Sequence, residues 1–501
     1  MTMTLARARD IAAATRIETR AFIDGAYAAA AGGETFESIN PATGETVAAV
    51  AHCQAADVDR AVVAARRAFD GGAWSRAAPE ERKAVLLKLA DLVRENAEEL
   101  AVLESIDSGK TISDCLNEIG HEVPTFFQWY AELADKTFGK VAPTGEEALA
   151  YIVKEPAGVV GLVLPWNFPL LMAAWKLAPA LAAGCSCLVK PAEQTPLSAI
   201  RLAALAAEAG VPAGVLNVLP GEGETTGAAI GRHGNIDIVS FTGSTEVGGY
   251  FLRYAADSNL KVVGLEMGGK SPFIVLDDAV IDEDLVEHAA MSAFWNGGQN
   301  CSANMRQLVA ASRAEEFAEK VVARAKAFVI GDPLDPGTSI GAMVTKEHQD
   351  RVMGYIRKGA GEGARLVAGG NAIGAPGTFV EPTVFTGLTP QMTIAREEIF
   401  GPVLGVLPVD GLEEALAVAR DTTYGLHATV FTRDIDKAIY LARRLPCGTV
   451  SVNGFSEGNV TTPFGGYKRS GSLARDNGAQ AMDQHVQTKT VWINVKSPDA
   501  A

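Results

Sequence analysis

Between residues 159 and 453 the chain alternates short, continuously apolar runs with longer amphipathic ones, and this alternation limits its fold more than any other feature. VVGLVLP (159–165), SCLVK (186–190), VLNVL (215–219) and IDIVSF (236–241) read as strands buried on both faces, since they run apolar without strict alternation. The segments that follow them, FPLLMAAWKLAPALAAG, LSAIRLAALAAEAG, GETTGAAIGRHG and STEVGGYFLRYAAD, read as helices. Repeated β-α-β units of this kind predict an α/β protein with a doubly wound parallel sheet, whose ligands sit at the carboxyl ends of the strands. A second series starts near residue 270 with SPFIVLD and runs through a helix over 283–298, MRQLVAA and a helix around 314–329. GPVLGVLPV, HATVFT and GTVSVN extend it, so a second α/β domain is expected, with the boundary near Gly268–Gly269.

Upstream, residues 55–135 read as helical, in the runs DVDRAVVAARRAFDGG and EERKAVLLKLADLVRENAEELAVLESIDSG, each closing on Gly. Segments near 140–156 and 487–495 are strand-like and belong to neither series. The terminal one either pairs across a subunit interface or forms an edge strand within its own chain.

A net charge of −16 and a pI near 5 argue against nucleic acid or an anionic membrane surface as partner. No apolar stretch is long enough to span a bilayer, and the N-terminal MTMTLARARDIAAATRIETR lacks the apolar core of a secretion signal. The six cysteines are too scattered for a disulfide framework and form no metal-ligand cluster with histidine, so no metal is expected. Reduced thiols and a cytoplasmic location follow.

Four stretches stand where a parallel sheet places its site, and a fifth carries a cysteine in a Gly-rich loop. PWNFP (165–169) follows the first strand, and its Asn167 amide is a candidate donor to an oxyanion. KPAEQTP (190–196) ends the second strand, where Lys190 and Glu193 can read a nucleotide ribose; an acidic Glu193 accepts from a 2′-hydroxyl and repels a 2′-phosphate, which favours NAD over NADP. In FTGSTEVG (241–248), Gly243 and Gly248 free backbone N–H groups and a helix N-terminus for a phosphate. Glu266, in LEMGGKSP (265–272), sits at a strand end before two glycines, as suits a mobile general base. WNGGQNCSANM (295–305) sets Cys301 among small polar residues, unlike Cys185 and Cys187 in LAAGCSCLVK. A nucleophilic thiolate there needs a base, and no histidine lies close in sequence.

Together with GQNC (298–301), EEIFGPVL (397–404) and PFGGYKRSG (463–471), these motifs resemble the aldehyde dehydrogenase superfamily, in its order and approximate spacing, over nearly the whole chain. The resemblance implies a Rossmann-like cofactor domain (1–137 and 157–268), a catalytic α/β domain (269–478) and a β bridging arm (138–156 and 479–501) that builds a homodimer or homotetramer. It implies Cys301 as nucleophile, Glu266 as general base, Asn167 with the Cys301 N–H as oxyanion hole, and a proton-relay role for Lys176. Around the cofactor it implies Lys190 and Glu193 at the adenine ribose and Ser244 near the pyrophosphate. Trp166 is expected near the adenosine half, with Glu398 and Phe400 at the nicotinamide ribose. The presence of Glu266 favours a free carboxylic acid over transfer of the acyl group to coenzyme A.

The tail GGYKRSG…ARDNGAQAMDQHVQTKTVWI resembles enzymes that oxidise γ-glutamyl-γ-aminobutyraldehyde and related aminoaldehydes in polyamine breakdown. One extra residue between Gly471 and Arg475, and Asn300 and Ser302 beside the cysteine, depart from that group. Alignment implies a substrate tunnel lined by Phe168, Met172, Trp175, Trp295 and Phe455, with Glu457 in the following loop. Asp114, Glu118 and Glu122 recur four residues apart, either as a solvated acidic face or as a mouth for a cationic aldehyde. The alternatives are a general aliphatic or aromatic aldehyde dehydrogenase and an acylating semialdehyde dehydrogenase.

Overall fold

In a computed structural model, described over residues 3–374 and 376–496, the apolar runs assemble into two seven-stranded sheets. Residues 497–501, the end of the expected bridging arm, lie outside the described residues, as do 1–2. The first sheet has the order Val262–Met267, Ile238–Gly243, Val159–Val163, Ser186–Lys190, Leu216–Val218, Ala21–Ile23, Ala26–Ala28. Its first five strands are parallel, and the last two form an antiparallel hairpin on its edge. The chain winds outward from Val159–Val163 in one direction, then returns to its other side at Ile238–Gly243. That reversal opens a crevice at the carboxyl ends of those two strands.

Strand Pro272–Val275 follows Val262–Met267 after a four-residue connection but lies in the second sheet. This sheet runs Arg365–Ala368, Thr383–Thr386, Val403–Val409, Arg306–Ala310, Pro272–Val275, His427–Phe431, Thr449–Val452, parallel except for its first strand. In a three-stranded antiparallel sheet the terminal segment pairs within its own chain. Val486–Asn494 runs along Ala148–Pro156 of the same chain, from Val486 opposite Pro156 to Asn494 opposite Ala148. Its outer edge is open, and Trp492 and Ile493 on it are exposed.

Helix Pro169–Ala183 is buried along its whole length, which explains its lack of a polar face. Pro169 occupies its first turn, and Gly184 ends it at φ 99°. Two carboxylates fix the start of this helix and of Leu197–Ala209. Glu104 accepts from the Leu170 N–H at 2.9 Å, and Asp107 accepts from the Leu197 N–H at 3.0 Å. A side-chain cap at a helix N-terminus is worth about 1 kcal/mol, so Glu104 and Asp107 anchor the two loops, PWNFP and KPAEQTP, that enter the crevice.

Several helix limits differ from the sequence expectation. The long run after Pro79 breaks at Asn96 into Pro79–Glu95 and Ala97–Ser108. There the Asn96 side-chain amide bonds back to the Leu92 carbonyl and competes with helical continuation. The helix expected over 283–298 stops at Phe294, because Asn296, Gly297 and Gly298 turn to positive φ. The helix around 314–329 stops at Ala325, and GETTGAAIGRHG forms a π turn followed by the short helix Ala228–Arg232.

Candidate active site

The two sheets meet at a cavity of about 410 Å³ above the crevice. Asn167, Glu266 and Cys301 all line it. Cys301 sits just beyond the left-handed turn Asn296–Gly298, with φ values of 50°, 62° and 70°. A side chain at 298 is excluded, because a Cβ there would stand 2.4 Å from the Gly401 carbonyl oxygen. The glycines after Glu266 serve the same close approach: a Cβ at Gly269 would lie 2.6 Å from the Cys301 carbonyl, and one at Gly268 1.9 Å from a Glu398 carboxylate oxygen. Sequence reading credited them with freeing Glu266; they also let the Cys301 turn and Glu398 close against the first domain's last strand.

The Asn167 amide donates one N–H to the Gln299 carbonyl at 2.9 Å, and Asn296 donates to the Asn167 carbonyl at 2.9 Å. PWNFP and the cysteine loop are thereby tied together, and the second Asn167 N–H remains for a ligand. Both Glu266 carboxylate oxygens are buried without a hydrogen-bond partner among the described residues. Burial and the Asp476 charge push its carboxyl far above the usual range, against the pull of Lys176 and Arg475. Burial, with the carboxylates of Glu457, Glu398 and Glu266, likewise pushes up the Cys301 thiol. The cavity thus carries a buried carboxyl and a half-buried thiol that both resist ionisation.

Lys176 does not reach the cavity wall. Its ammonium is fully buried between Asp476 and the Ser240 hydroxyl, each at 2.9 Å. Asp476 does line the cavity, so the Lys176–Asp476 pair stands behind Glu266 rather than beside a reacting atom.

Lys190, Glu193, Gly243 and Ser244 line one end of the cavity. The Lys190 ammonium meets the Glu193 carboxylate at 2.7 Å. Burial works to raise the Glu193 carboxyl, but the Lys190 charge and hydrogen bond outweigh it and hold it below its ordinary value. Ser244 caps helix Thr245–Ala256, accepting from the Val247 N–H at 3.3 Å, so the positive end of a twelve-residue helix faces this end of the cavity. Gly248 does not line it; a Cβ there would meet the Met267 sulfur at 2.3 Å, so its role is helix–sheet packing.

Trp166, Glu398 and Phe400 also border the cavity. Glu398 accepts from the Gly269 N–H at 2.8 Å, and burial pushes its carboxyl up to about 7. Phe400 holds φ 59°, and its carbonyl accepts from the His348 ring at 2.6 Å. His348 packs on Trp166 at 5.1 Å and lines the cavity, a place that no pattern in the sequence marks.

At the other end stand Phe168, Met172, Trp175, Trp295 and Glu457. Phe168 and Trp295 pack at 5.1 Å, and the Trp295 N–H donates to Asp114 at 3.2 Å. Phe455 lies outside this wall, packed on His427 at 5.3 Å, with its N–H given to His288. The acidic helix face is not a solvated one. Glu118 is buried and ion-paired to Lys110, while Glu122, at the end of a π turn, reaches the cavity. π turns interrupt helices where a side chain must be re-aimed, often at functional sites.

The residues present fit a dinucleotide. Gly223, Gly227 and Gly243 leave the wall bare of side chains, the Thr242 hydroxyl is buried without a partner among the described residues, and Lys190 favours the charged form of Glu193.

Residues 27–491 match the Aldehyde dehydrogenase family. The chain is 51% identical over 485 residues to the aminoacetaldehyde dehydrogenase of Pseudomonas aeruginosa, covering 97% of each chain. Two solved structures superpose on it closely. One is the P. syringae indole-3-acetaldehyde dehydrogenase AldA in complex with NAD+ and IAA (TM-score 0.97, 48% identity, 99% of this chain and 100% of that one). The other is the gamma-glutamyl-gamma-aminobutyraldehyde dehydrogenase from Burkholderia cenocepacia (TM-score 0.96, 48% identity, 99% and 100%).

Proposed function

The chain belongs to the aldehyde dehydrogenase family and oxidises an aldehyde to the carboxylic acid with reduction of NAD; within it, we propose that Cys301, Glu266 and Asn167 carry the reaction and that the substrate is an ω-amino or γ-glutamylamino aldehyde. The Cys301 sulfur adds to the aldehyde carbon as its thiolate, its proton released to solvent, which leaves Glu266 free to act on water. The free Asn167 N–H and the Cys301 main-chain N–H hold the alkoxide oxygen of the thiohemiacetal. Bound in the cavity, NAD supplies the acceptor for the hydride of that carbon. The acyl group remains on Cys301 as a thioester. Glu266 then takes a proton from water, which adds to the thioester carbonyl and expels the sulfur. The Lys176–Asp476 pair sets the potential at Glu266 from behind.

The observation that supports the substrate is the charge at the mouth. Glu122 and Glu457 both line the cavity beside the Phe168–Trp295 wall, whereas Glu118 is neutralised by Lys110. An aromatic wall with two carboxylates suits an ammonium group on a short apolar stem. The same wall without the carboxylates suits a neutral aromatic aldehyde, the second reading. A panel of ω-aminoaldehydes against n-alkanals of equal length separates them: kcat/KM is expected to favour the amino compounds. Glu122→Gln should cut that ratio by about threefold to tenfold, the worth of one partly desolvated ion pair. Equal kcat/KM for both series would sink the cationic substrate.

Glu193 is the proposed discriminator at the adenine ribose. Removing its charge with Glu193→Gln should narrow the kcat/KM preference for NAD over NADP by about tenfold, equivalent to ~1.4 kcal/mol. An unchanged ratio removes that role.

A further inference from the structure

Asn300 and Ser302 flank the cysteine, and both point to one acceptor. The Asn300 amide donates to a Glu457 carboxylate oxygen at 3.0 Å, and the Ser302 hydroxyl donates to the same oxygen. The Ser302 N–H also donates to the Asn300 side-chain oxygen at 3.2 Å, closing a ring of bonds around Cys301. Asn300 and Ser302 are buried, so each leaves an unsatisfied polar group if Glu457 is removed. The loop that brings Glu457 is itself held on both sides. The Ser456 carbonyl meets the His427 ring at 2.9 Å, the Phe455 N–H bonds to His288 at 3.3 Å, and Asn459 caps the turn back through Thr461 at 2.9 Å. A carboxylate carried on a braced loop of the second domain thus grips the residues on either side of the thiol.

We propose that Glu457 is a positioning residue for the nucleophile: through Asn300 and Ser302 it fixes the Cys301 turn, and with it the direction of the thiol and of the main-chain N–H that faces the carbonyl oxygen. This goes beyond substrate charge, because the clamp acts on a neutral aldehyde as much as on a cationic one. It also gives the two residues that depart from the aminoaldehyde pattern a shared purpose. The position of the clamp, on the substrate side of Cys301, leaves the Asn167 side of the turn to its separate tie through Gln299.

The test uses the full-length enzyme with propanal, which carries no charge for Glu457 to bind. Glu457→Ala is expected to lower kcat by about tenfold to a hundredfold, the scale of a misplaced reacting group, with KM changing less than kcat. The rate of Cys301 alkylation by iodoacetamide at fixed pH should move the other way and rise, since a carboxylate beside the thiol has gone. Glu457→Gln keeps an oxygen that accepts from Asn300 and Ser302, and should recover most of the alanine loss on propanal. Ser302→Ala should cost kcat alone but add little in the Glu457→Ala background, as members of one unit do. Full additivity of the two losses, or wild-type kcat for Glu457→Ala on propanal, overturns the proposal. A preference for n-alkanals over ω-aminoaldehydes in the wild type would remove the cationic substrate and leave this result standing.

Discussion

Cys301→Ala is expected to lower the rate of NADH formation by about four to six orders of magnitude, as loss of the nucleophile does where nucleophile, base and oxyanion donors act as one unit. Alanine removes only the sulfur. The turn before it is set by Asn296, Gly297 and Gly298 and by the Asn167–Gln299 bond, none of which involves the thiol. NAD affinity, followed by quenching of protein fluorescence, should therefore stay within about threefold of wild type, because Lys190, Glu193 and the Ser244 helix end are untouched. The other cysteines are no substitute: Cys53, Cys115, Cys185 and Cys187 are buried, and Cys447 is half-buried and outside the cavity wall. Cys301→Ser separates sulfur chemistry from shape, since its hydroxyl fills the same place but ionises far less readily. It should fall by nearly as much as the alanine variant. Activity of Cys301→Ala within tenfold of wild type would overturn the thioester route.

The sheets were legible because their inner strands are buried on both faces and so carry uninterrupted apolar runs. Strands that are short or lie at an edge, such as Ala21–Ile23 and Arg365–Ala368, carry no such run and escaped notice. The candidate site residues stood out through position: Asn167, Glu193 and Ser244 follow strand ends and Glu266 is the last residue but one of its strand, where the doubly wound sheet opens its crevice. Interactions between loops far apart in sequence were not legible. Nothing in GFSEGNV indicates that Glu457 reaches the residues beside Cys301, nor does any local pattern show Lys176 paired to Asp476 across 300 positions. The acidic spacing at Asp114, Glu118 and Glu122 was visible, but a π turn and the Lys110 ion pair reassign its members: Glu118 inward and neutralised, Glu122 to the cavity. Gly248 and Phe455 illustrate the opposite error, since a motif match placed them at the site while packing against Met267 and His427 holds them away from its wall.

Glu266→Gln tests which half of the reaction needs the buried carboxylate. The amide has the same shape but cannot take a proton, so water is no longer activated toward the thioester. Mixing the variant with NAD and aldehyde should give a burst approaching one NADH per Cys301, followed by turnover slower than wild type by about a hundredfold to ten-thousandfold. Acid quench during the slow phase should leave the acyl group on Cys301, readable by intact mass. Hydroxylamine, a nucleophile that needs no base, should speed release and form the hydroxamate. Coenzyme A should not, if the cavity is built for water rather than for an acyl carrier. The burst itself carries the discrimination. The Cys301 thiol is pushed up by burial and three carboxylates, Glu266 among them, so replacing Glu266 by a neutral amide has two opposing effects on the first half. It removes a charge that disfavours the thiolate, and it removes a group able to accept the thiol proton. A burst of full amplitude means that deacylation is the step Glu266 serves. Loss of the burst together with the steady rate would instead make Glu266 necessary for thiol activation, and would overturn its assignment to the water alone.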